Sequence, residues 1–189
     1  MKSLIYLHGF NSSPASKKAQ FIQSWCKKAA INVDLQIPLL AFAPQEAIAQ
    51  IDNLIVDAPN TVLIGSSLGG YYANYFAEKY AVKAVLINPA VRPYELLGDY
   101  LGEQLNPYTG ESYFLAAEHM QQLRAVAVHK MQRAPNRMVL LQTGDETLDY
   151  RQAESYFANA VLEIEQGGDH SFAGFENKLE QITNFLGLK

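Results

Sequence analysis

The segment that most constrains the fold is residues 61–76, where a buried-strand pattern passes directly into a helical one. The apolar, partly β-branched residues 61–64 predict a strand, and apolar residues at helical spacing follow from Leu68 onward. Between the two patterns lies Gly65-Ser66-Ser67-Leu68-Gly69, which has the form Gly-x-Ser-x-Gly. In this context the pattern predicts a nucleophile elbow, a sharp turn that strains the central Ser67 and exposes its hydroxyl. The flanking glycines let neighbouring backbone pass close by, whereas Ser66 lacks such flanking and is interpreted as scaffold.

A simpler interpretation of the same turn is a serine that only caps the following helix. The strand before the turn and the helix after it favour a nucleophilic Ser67 over that alternative. A serine hydroxyl is a weak nucleophile at neutral pH, so it needs an adjacent base, and the base in turn needs a carboxylate to orient it. The rest of the chain is therefore searched for a histidine and an acid.

Apolar segments alternate with amphipathic helical patterns along most of the chain. The predicted strands cover residues 3–8, 31–37, 61–64, 83–88, 137–143 and 161–165. The last strand alternates as a half-exposed edge strand does, and Ser13 with Pro14 predicts the start of the first helix. Strands alternating with helices predict an α/β fold, a parallel six-stranded sheet with helices on both faces. No internal repeat or linker is present, so residues 1–189 are predicted to form a single domain.

The alternation breaks between residues 89 and 136, which lack strand patterns and contain four prolines and several aromatic residues. A structureless loop of this length would be unusual in a compact domain. Short helices are expected around residues 94–102 and 112–130, so the segment is interpreted as a small helical insertion. Because it follows the strand after Ser67, we expect it to form a cap over that serine.

Charge and cysteine content exclude several classes of function. The 189-residue chain has a net charge of −4, so nothing in it suggests nucleic acid or an anionic membrane as a partner. No apolar stretch is long enough to cross a bilayer, and the N-terminus predicts a strand, without the pattern of a signal peptide. With Cys26 as the single cysteine no internal disulfide can form, and the cytoplasm is the expected location.

The most suitable base among the four histidines is His170. It lies in a loop after the last predicted strand, behind Gly167 and Gly168, and just before the final helix. His8 ends the first strand, where it is expected to shape a loop, and the other two, His119 and His129, lie in the insertion. The simpler interpretation of His170 is a surface histidine without a role.

Three aspartates are candidates for the acid. Asp145 follows the fifth predicted strand directly after Gly144, at the carboxyl end of the sheet, where active loops are expected. Asp149 lies near a helix start, where an aspartate can act as an N-cap, and remains the alternative. Asp169 adjoins His170 in sequence, so its side chain should point elsewhere. Asp145 is preferred.

An acyl-transfer site also needs donors for the oxyanion of the tetrahedral intermediate. The backbone N–H of Leu68, at the start of the helix after Ser67, is one natural donor. The second should come from the loop His8-Gly9-Phe10, where Gly9 permits a close approach and the N–H of Phe10 is the best candidate.

Four stretches occur in an order that resembles a known family: His-Gly-Phe-Asn-Ser-Ser at 8–13, Gly-Ser-Ser-Leu-Gly-Gly at 65–70, Thr-Gly-Asp-Glu at 143–146 and Gly-Gly-Asp-His-Ser-Phe at 167–172. Together they resemble the α/β-hydrolases, specifically the small bacterial YqiA-like esterases. The resemblance covers nearly the whole chain. It implies a minimal six-stranded α/β-hydrolase fold and a serine esterase with its triad in the order Ser67, Asp145, His170. The spacing of Gly144 and Asp145 departs from the Gly-x-x-Asp of the general hydrolase pattern.

The resulting hypothesis is a serine carboxylesterase that hydrolyses short-to-medium acyl esters through an acyl-enzyme. An acyl-CoA thioesterase would use the same residues, and a non-catalytic binding protein on a hydrolase scaffold is the alternative from another class. The expected partner is a small-molecule ester or thioester, with no metal or cofactor. The aromatic residues of the insertion are candidates for lining an acyl pocket, although packing of the cap explains most of them. The sequence does not predict the oligomeric state.

Overall fold

The computed structural model describes residues 1–188. The strands are β1 (Lys2–Leu7), β2 (Val33–Gln36), β3 (Thr61–Ser66), β4 (Lys83–Ile87), β5 (Gly102–Leu105), β6 (Ser112–Leu115), β7 (Arg137–Gln142) and β8 (Val161–Glu165). Six of them form one sheet in the order β2-β1-β3-β4-β7-β8, and every neighbouring pair in it is parallel. The predicted α/β architecture is therefore confirmed. The α-helices are α1 (Lys17–Lys28), α2 (Pro44–Leu54), α3 (Leu68–Tyr80), α4 (Pro93–Leu96), α5 (Ala117–Ala125), α6 (Tyr150–Tyr156) and α7 (Leu179–Leu186).

Two apolar layers enclose the sheet because its central strands are hydrophobic on both faces. Successive residues of a strand point to opposite faces, so Ile5 and Leu7 of β1 pack on one side and Leu4 and Tyr6 on the other. Helices α2, α3 and α6 cover the first face, while α1 and α7 cover the second. This three-layer arrangement brings the loops that follow β1, β3, β7 and β8 to one edge of the sheet.

The insertion differs from its prediction. It contains the expected short helices α4 and α5, but β5 and β6 pair as an antiparallel hairpin that the sequence did not reveal. The four residues of β5 include a glycine and two polar residues, and none of them is buried. A strand that buries no side chain has no hydrophobic alternation to mark it.

The start of α1 is also later than predicted. The hydroxyl of Ser13 accepts a hydrogen bond from the Ala15 N–H at 3.0 Å, and the Ser13 carbonyl accepts one from the Ser16 N–H at 3.1 Å. Ser13 thus stabilises a tight turn before the helix, and Ser16 takes the position before the first helical residue, Lys17.

Every helix in residues 1–188 is too short or too polar to cross a membrane.

Candidate active site

Ser67 occupies the turn between β3 and α3 in a strained backbone conformation. Its φ of 55° and ψ of −119° lie in a region that residues with a side chain rarely adopt. The glycines on either side are required by close approach: a Cβ on Gly65 would lie 2.2 Å from the Gly69 carbonyl oxygen, and one on Gly69 would lie 2.0 Å from that of Leu7. Only glycines at these positions let β1, β3 and α3 meet tightly enough to form this turn.

A chain of hydrogen bonds connects Ser67 to a histidine and an aspartate. His170 Nε2 lies 3.1 Å from Ser67 Oγ, and His170 Nδ1 lies 2.8 Å from Oδ2 and 3.0 Å from Oδ1 of Asp145. The ionised carboxylate can only accept, so Nδ1 carries the proton and donates it to Asp145. Nε2 is then free to accept the hydrogen bond from the Ser67 hydroxyl. The structure therefore brings together the three residues that the sequence analysis selected as nucleophile, base and acid.

Asp145 is held in the orientation and charge state that this chain needs. Its side chain is only 2% exposed, and Oδ1 accepts hydrogen bonds from the N–H groups of Thr147 at 2.9 Å and Leu148 at 2.8 Å. Burial on its own would raise the pKa of Asp145, but the hydrogen bonds from His170 and from these two backbone groups lower it below its ordinary value. Asp145 is thus stabilised as a carboxylate.

The other two acidic candidates have different positions. Asp149 precedes α6, and its Oδ1 accepts a hydrogen bond from the Arg151 N–H at 3.1 Å, which is the predicted capping geometry. Asp169 lies beside His170 in sequence. Its carbonyl accepts a hydrogen bond from the Asn88 amide, and its N–H donates one to the Gln142 amide. The structure places neither of their side chains against the His170 imidazole.

The loop after β1 lies against Ser67. A Cβ on Gly9 would be 3.2 Å from Ser67 Cβ, so the absence of a side chain lets this loop approach the serine. Among residues 1–188 the backbone N–H groups of Phe10 and Leu68 donate no hydrogen bond. Both are unpaired donors in segments that adjoin Ser67.

His8 supports that loop without contacting the serine. Its Nε2 accepts a hydrogen bond from the Leu40 N–H at 3.1 Å, and its Nδ1 donates one to the Gly9 carbonyl at 2.9 Å. Burial lowers the pKa of His8, which favours the neutral imidazole that this pair of bonds requires. The expected role of His8 in shaping a loop agrees with these contacts.

A cleft of about 690 Å³ opens above Ser67 and His170. Its walls come from the loop 9–12, from Lys17, Lys18 and Phe21 of α1, from the loop 169–176, and from Tyr108 at the tip of the β5–β6 hairpin. A second space of about 40 Å³ lies beside Phe10 and Leu68 and is lined by both polar and apolar residues, among them Tyr113 of the hairpin. In the described part of the chain, no group of three or more His, Cys, Asp and Glu side chains converges as metal ligands do.

Two buried amides that the sequence analysis did not select hold the loop of His170. Asn88 Nδ2 donates to the carbonyl oxygens of Asp169 and His170. The Gln142 amide donates to the Ala173 carbonyl and accepts from the N–H groups of Asp169 and Ala173. The only sequence signal was a polar residue at the end of each of two apolar strands, β4 and β7. Such a signal does not reveal a partner more than 25 residues away.

Comparison with known proteins agrees with the fold. The model of the family described as "Uncharacterised protein family (UPF0227)" matches residues 3–187. A UPF0227 protein of Pectobacterium carotovorum is 24% identical over 98% of this chain and 99% of its own length. One of Shewanella woodyi is 26% identical over 96% of this chain and 98% of its own length.

Several solved structures share the architecture at low sequence identity. Est1E of Butyrivibrio proteoclasticus, solved with ferulic acid, superposes with a TM-score of 0.71 at 12% identity, covering 100% of this chain and 90% of its own. Mouse alpha/beta hydrolase domain-containing protein 10 gives 0.71 at 16% identity, with 97% and 90% covered. The esterase domain of a Rhodothermus marinus protein gives 0.65 at 16%, with 98% and 85% covered. At these identities the likeness establishes the α/β-hydrolase fold and nothing about substrates.

Proposed function

The chain belongs to the UPF0227 family, and we propose that it is a serine carboxylesterase which hydrolyses short-to-medium acyl esters through an acyl-enzyme. The observation that carries this proposal is the hydrogen-bonded series from Ser67 through His170 to Asp145. The series begins at a serine whose backbone is strained and whose hydroxyl faces an open cleft. A buried carboxylate, an imidazole and a half-buried hydroxyl in this order form a site for activating a nucleophile.

The proposed reaction starts with attack of Ser67 Oγ on the ester carbonyl. His170 Nε2 accepts the hydroxyl proton as the C–O bond forms, and Asp145 stabilises the resulting imidazolium. The negative charge on the carbonyl oxygen is stabilised by the free N–H groups of Phe10 and Leu68; one such donor is worth about 10²–10³-fold in kcat. Collapse of the tetrahedral intermediate breaks the bond to the alcohol, which leaves with the proton from His170. Water then repeats the sequence on the acyl-enzyme, releases the acid and restores Ser67.

The cleft is wide enough for both halves of a small ester. Its volume of about 690 Å³ is within the range of pockets that bind drug-sized molecules. Its lining combines aromatic side chains with hydroxyl groups, with Lys17 and Lys18 of α1, and with Asp169 and Glu176 of the loop after β8. The second candidate, an acyl-CoA thioesterase, would use the same three residues and bind its anionic leaving group beside the two lysines.

The test is hydrolysis of p-nitrophenyl acetate, butyrate and octanoate, with butyryl-CoA in parallel, by the wild-type protein and by Ser67→Ala. The matched control is Ser24→Ala, a serine exposed on α1 and away from the cleft. We expect turnover and fluorophosphonate labelling in the wild type and in Ser24→Ala, and neither in Ser67→Ala. A higher kcat/KM on the thioester than on the oxygen ester would support the thioesterase. Absence of both labelling and turnover in the wild type would refute a serine hydrolase and favour the non-catalytic binding protein.

A further inference from the structure

Asn88, the residue that follows β4, uses its whole side chain to connect two active-site segments. The residue is 2% exposed. Its Oδ1 accepts a hydrogen bond from the Gln142 N–H at 3.0 Å, and its Nδ2 donates to the carbonyl oxygens of Asp169 at 3.0 Å and His170 at 3.3 Å. Because an N–H group faces the oxygen and two carbonyls face the nitrogen, only this orientation of the amide satisfies all three partners.

The backbone around Asn88 holds the nucleophile. The Ser67 N–H donates to the Ile87 carbonyl at 3.0 Å, and the Ser67 carbonyl accepts from the Ala90 N–H at 3.1 Å. The N–H of Asn88 itself donates to the Leu140 carbonyl of β7 at 2.9 Å. Residues 87–90 therefore bind the serine through their backbone and the histidine loop through one side chain.

The Asn88 amide is also connected, through Gln142, to the segment that carries Asp145. Gln142, whose N–H binds Asn88, has a carbonyl that accepts from the Asp145 N–H at 3.2 Å. The Gln142 side chain adds a second connection, because its Oε1 accepts from the N–H groups of Asp169 at 3.1 Å and Ala173 at 2.9 Å. Displacement of Asn88 would thus be transmitted to Asp145 and His170 together.

The other contacts of the His170 loop are nearer the surface. The Lys18 ammonium donates to the Ser171 carbonyl at 2.8 Å, and Glu146 Oε2 accepts from the His170 N–H at 2.9 Å, both in exposed positions. The loop contains Gly167, Gly168 and Gly174, each with a positive φ, so its backbone has little intrinsic preference for one conformation. The buried amides of Asn88 and Gln142 are better shielded from water than these two contacts.

We propose that Asn88 is a positioning residue that sets the distances from His170 to Ser67 and to Asp145. It does so by fixing the backbone of His170 relative to the backbone of Ser67. The proposal rests on the proposed hydrolase function. Because a misplacement of about 1 Å can cost a hundredfold in rate, a hydrogen bond that fixes this register affects kcat far more than the binding of a small ester.

Two substitutions test the role of the amide without straining the backbone. Asn88 has a φ of 39°, which glycine and aspartate tolerate better than alanine does. Asn88→Gly removes all three side-chain hydrogen bonds, and Asn88→Asp keeps the acceptor but places a carboxylate oxygen against two carbonyl oxygens. We expect both to lower kcat about 10–100-fold and to leave KM for p-nitrophenyl acetate within about twofold.

The matched control is Asn74→Ala. Asn74 is 3% exposed, and its amide binds Arg137 and Tyr156. This variant is expected to lower the thermal midpoint while kcat stays within about twofold of wild type. If the Asn88 variants keep kcat, or if Asn74→Ala loses as much kcat as they do, Asn88 has no positioning role.

A second measurement does not depend on turnover. The proton that His170 Nδ1 donates to Asp145 gives a downfield NMR resonance, assigned by its absence in His170→Gln. We expect this resonance to shift or to broaden in Asn88→Asp and to stay in place in Asn74→Ala. An unchanged resonance in Asn88→Asp would overturn the positioning role even in a protein without esterase activity. Conversely, lack of fluorophosphonate labelling in the wild type would refute only the proposed function.

Discussion

The imidazole of His170 bridges both carboxylate oxygens of Asp145, at 2.8 Å to Oδ2 and 3.0 Å to Oδ1. The backbone N–H groups of Thr147 and Leu148 donate to Oδ1 of the same carboxylate. The Asp145 side chain is therefore fixed in orientation, and it holds His170 in the tautomer that carries its proton on Nδ1. This relationship distinguishes Asp145 from its neighbour Asp149 and leads to the first prediction.

Asp145→Asn should lower kcat by about 10³–10⁴-fold on the best ester, because an amide can donate to Nδ1 and so stabilises the wrong tautomer of His170. Asp149→Asn is the matched control, since Asp149 caps α6 and pairs with Arg151 at the surface, and its kcat should stay within about twofold of wild type. Steady-state kinetics of both variants decide the question. A larger loss in Asp149→Asn than in Asp145→Asn would exchange the roles of the two residues.

Asp145 should also contribute to the acid sensitivity of the fold. The pKa of Asp145 in the folded protein lies below the ordinary value. As the pH falls, the unfolded chain therefore binds more protons at this residue than the folded chain does. The stabilisation is fully present above the unfolded pKa, about 3.9, and is lost as the pH falls through the folded pKa. Urea unfolding at pH 7 and pH 3 should show a smaller acid-induced loss of the free energy of unfolding in Asp145→Asn than in wild type. An equal loss in the two proteins would contradict this.

Gly69→Ala should disrupt the turn that carries Ser67. The new Cβ would lie 2.0 Å from the Leu7 carbonyl oxygen, which belongs to the backbone of a central strand and has no room to move. We expect a loss of more than about 3 kcal/mol in the free energy of unfolding, or no folded protein. In Gly98→Ala the added Cβ meets no atom within 4 Å, so that variant should change stability by less than about 1 kcal/mol. Thermal unfolding of the pair checks this, and a stable, active Gly69→Ala would refute the close approach.

The hairpin of the insertion is bonded to the loop that carries Phe10. The Tyr113 hydroxyl donates to Asn11 Oδ1 at 2.5 Å, Asn106 Nδ2 donates to the Ser12 carbonyl at 3.1 Å, and the rings of Phe10 and Tyr100 meet edge to face at 5.9 Å. These contacts hold the loop whose Gly9 packs against Ser67.

Tyr113→Phe should therefore slow the reaction although Tyr113 touches none of the three reacting residues. One hydrogen bond is worth about 1 kcal/mol, which corresponds to about a fivefold loss of kcat. The ring of Tyr113 stacks on Phe42 at 4.4 Å and should keep that contact. Tyr75→Phe, on α3, serves as the control for loss of a hydroxyl. If both variants have wild-type kcat, the contacts of the hairpin with the loop that carries Phe10 do not influence the reaction.

The central sheet and the candidate residues could be predicted from sequence because local patterns determine them. Residues 61–69 combine a β-branched strand, two glycines and a helix start, and each of these signals lies within a few residues of Ser67. The loops of Asp145 and His170 follow strands of the same parallel sheet, so topology alone brings them to one edge. The catalytic roles of these residues stay predictions until the variants are measured.

The features that were missed depend on contacts distant in sequence. The β5–β6 hairpin buries too little apolar surface to show a strand pattern, and it is stabilised by bonds from Asn106 and Tyr113 to residues about 100 positions earlier. Asn88 reaches the His170 loop across 81 positions. A polar residue at a strand end gives no information about which carbonyl it will meet.

The anchors of Ser67, Asp145 and His170 all come from the strands and their adjoining loops, and none comes from residues 92–133. That segment makes only two hydrogen bonds to the loop of residues 10–12. The bonds that hold these three residues are therefore separable from those that hold the insertion. Of the insertion, Tyr108 contributes to the wall of the cleft. We expect that an insertion transplanted from a relative, if it keeps partners for Asn11 and Ser12, would change that wall and leave the positions of Ser67, Asp145 and His170 unaltered.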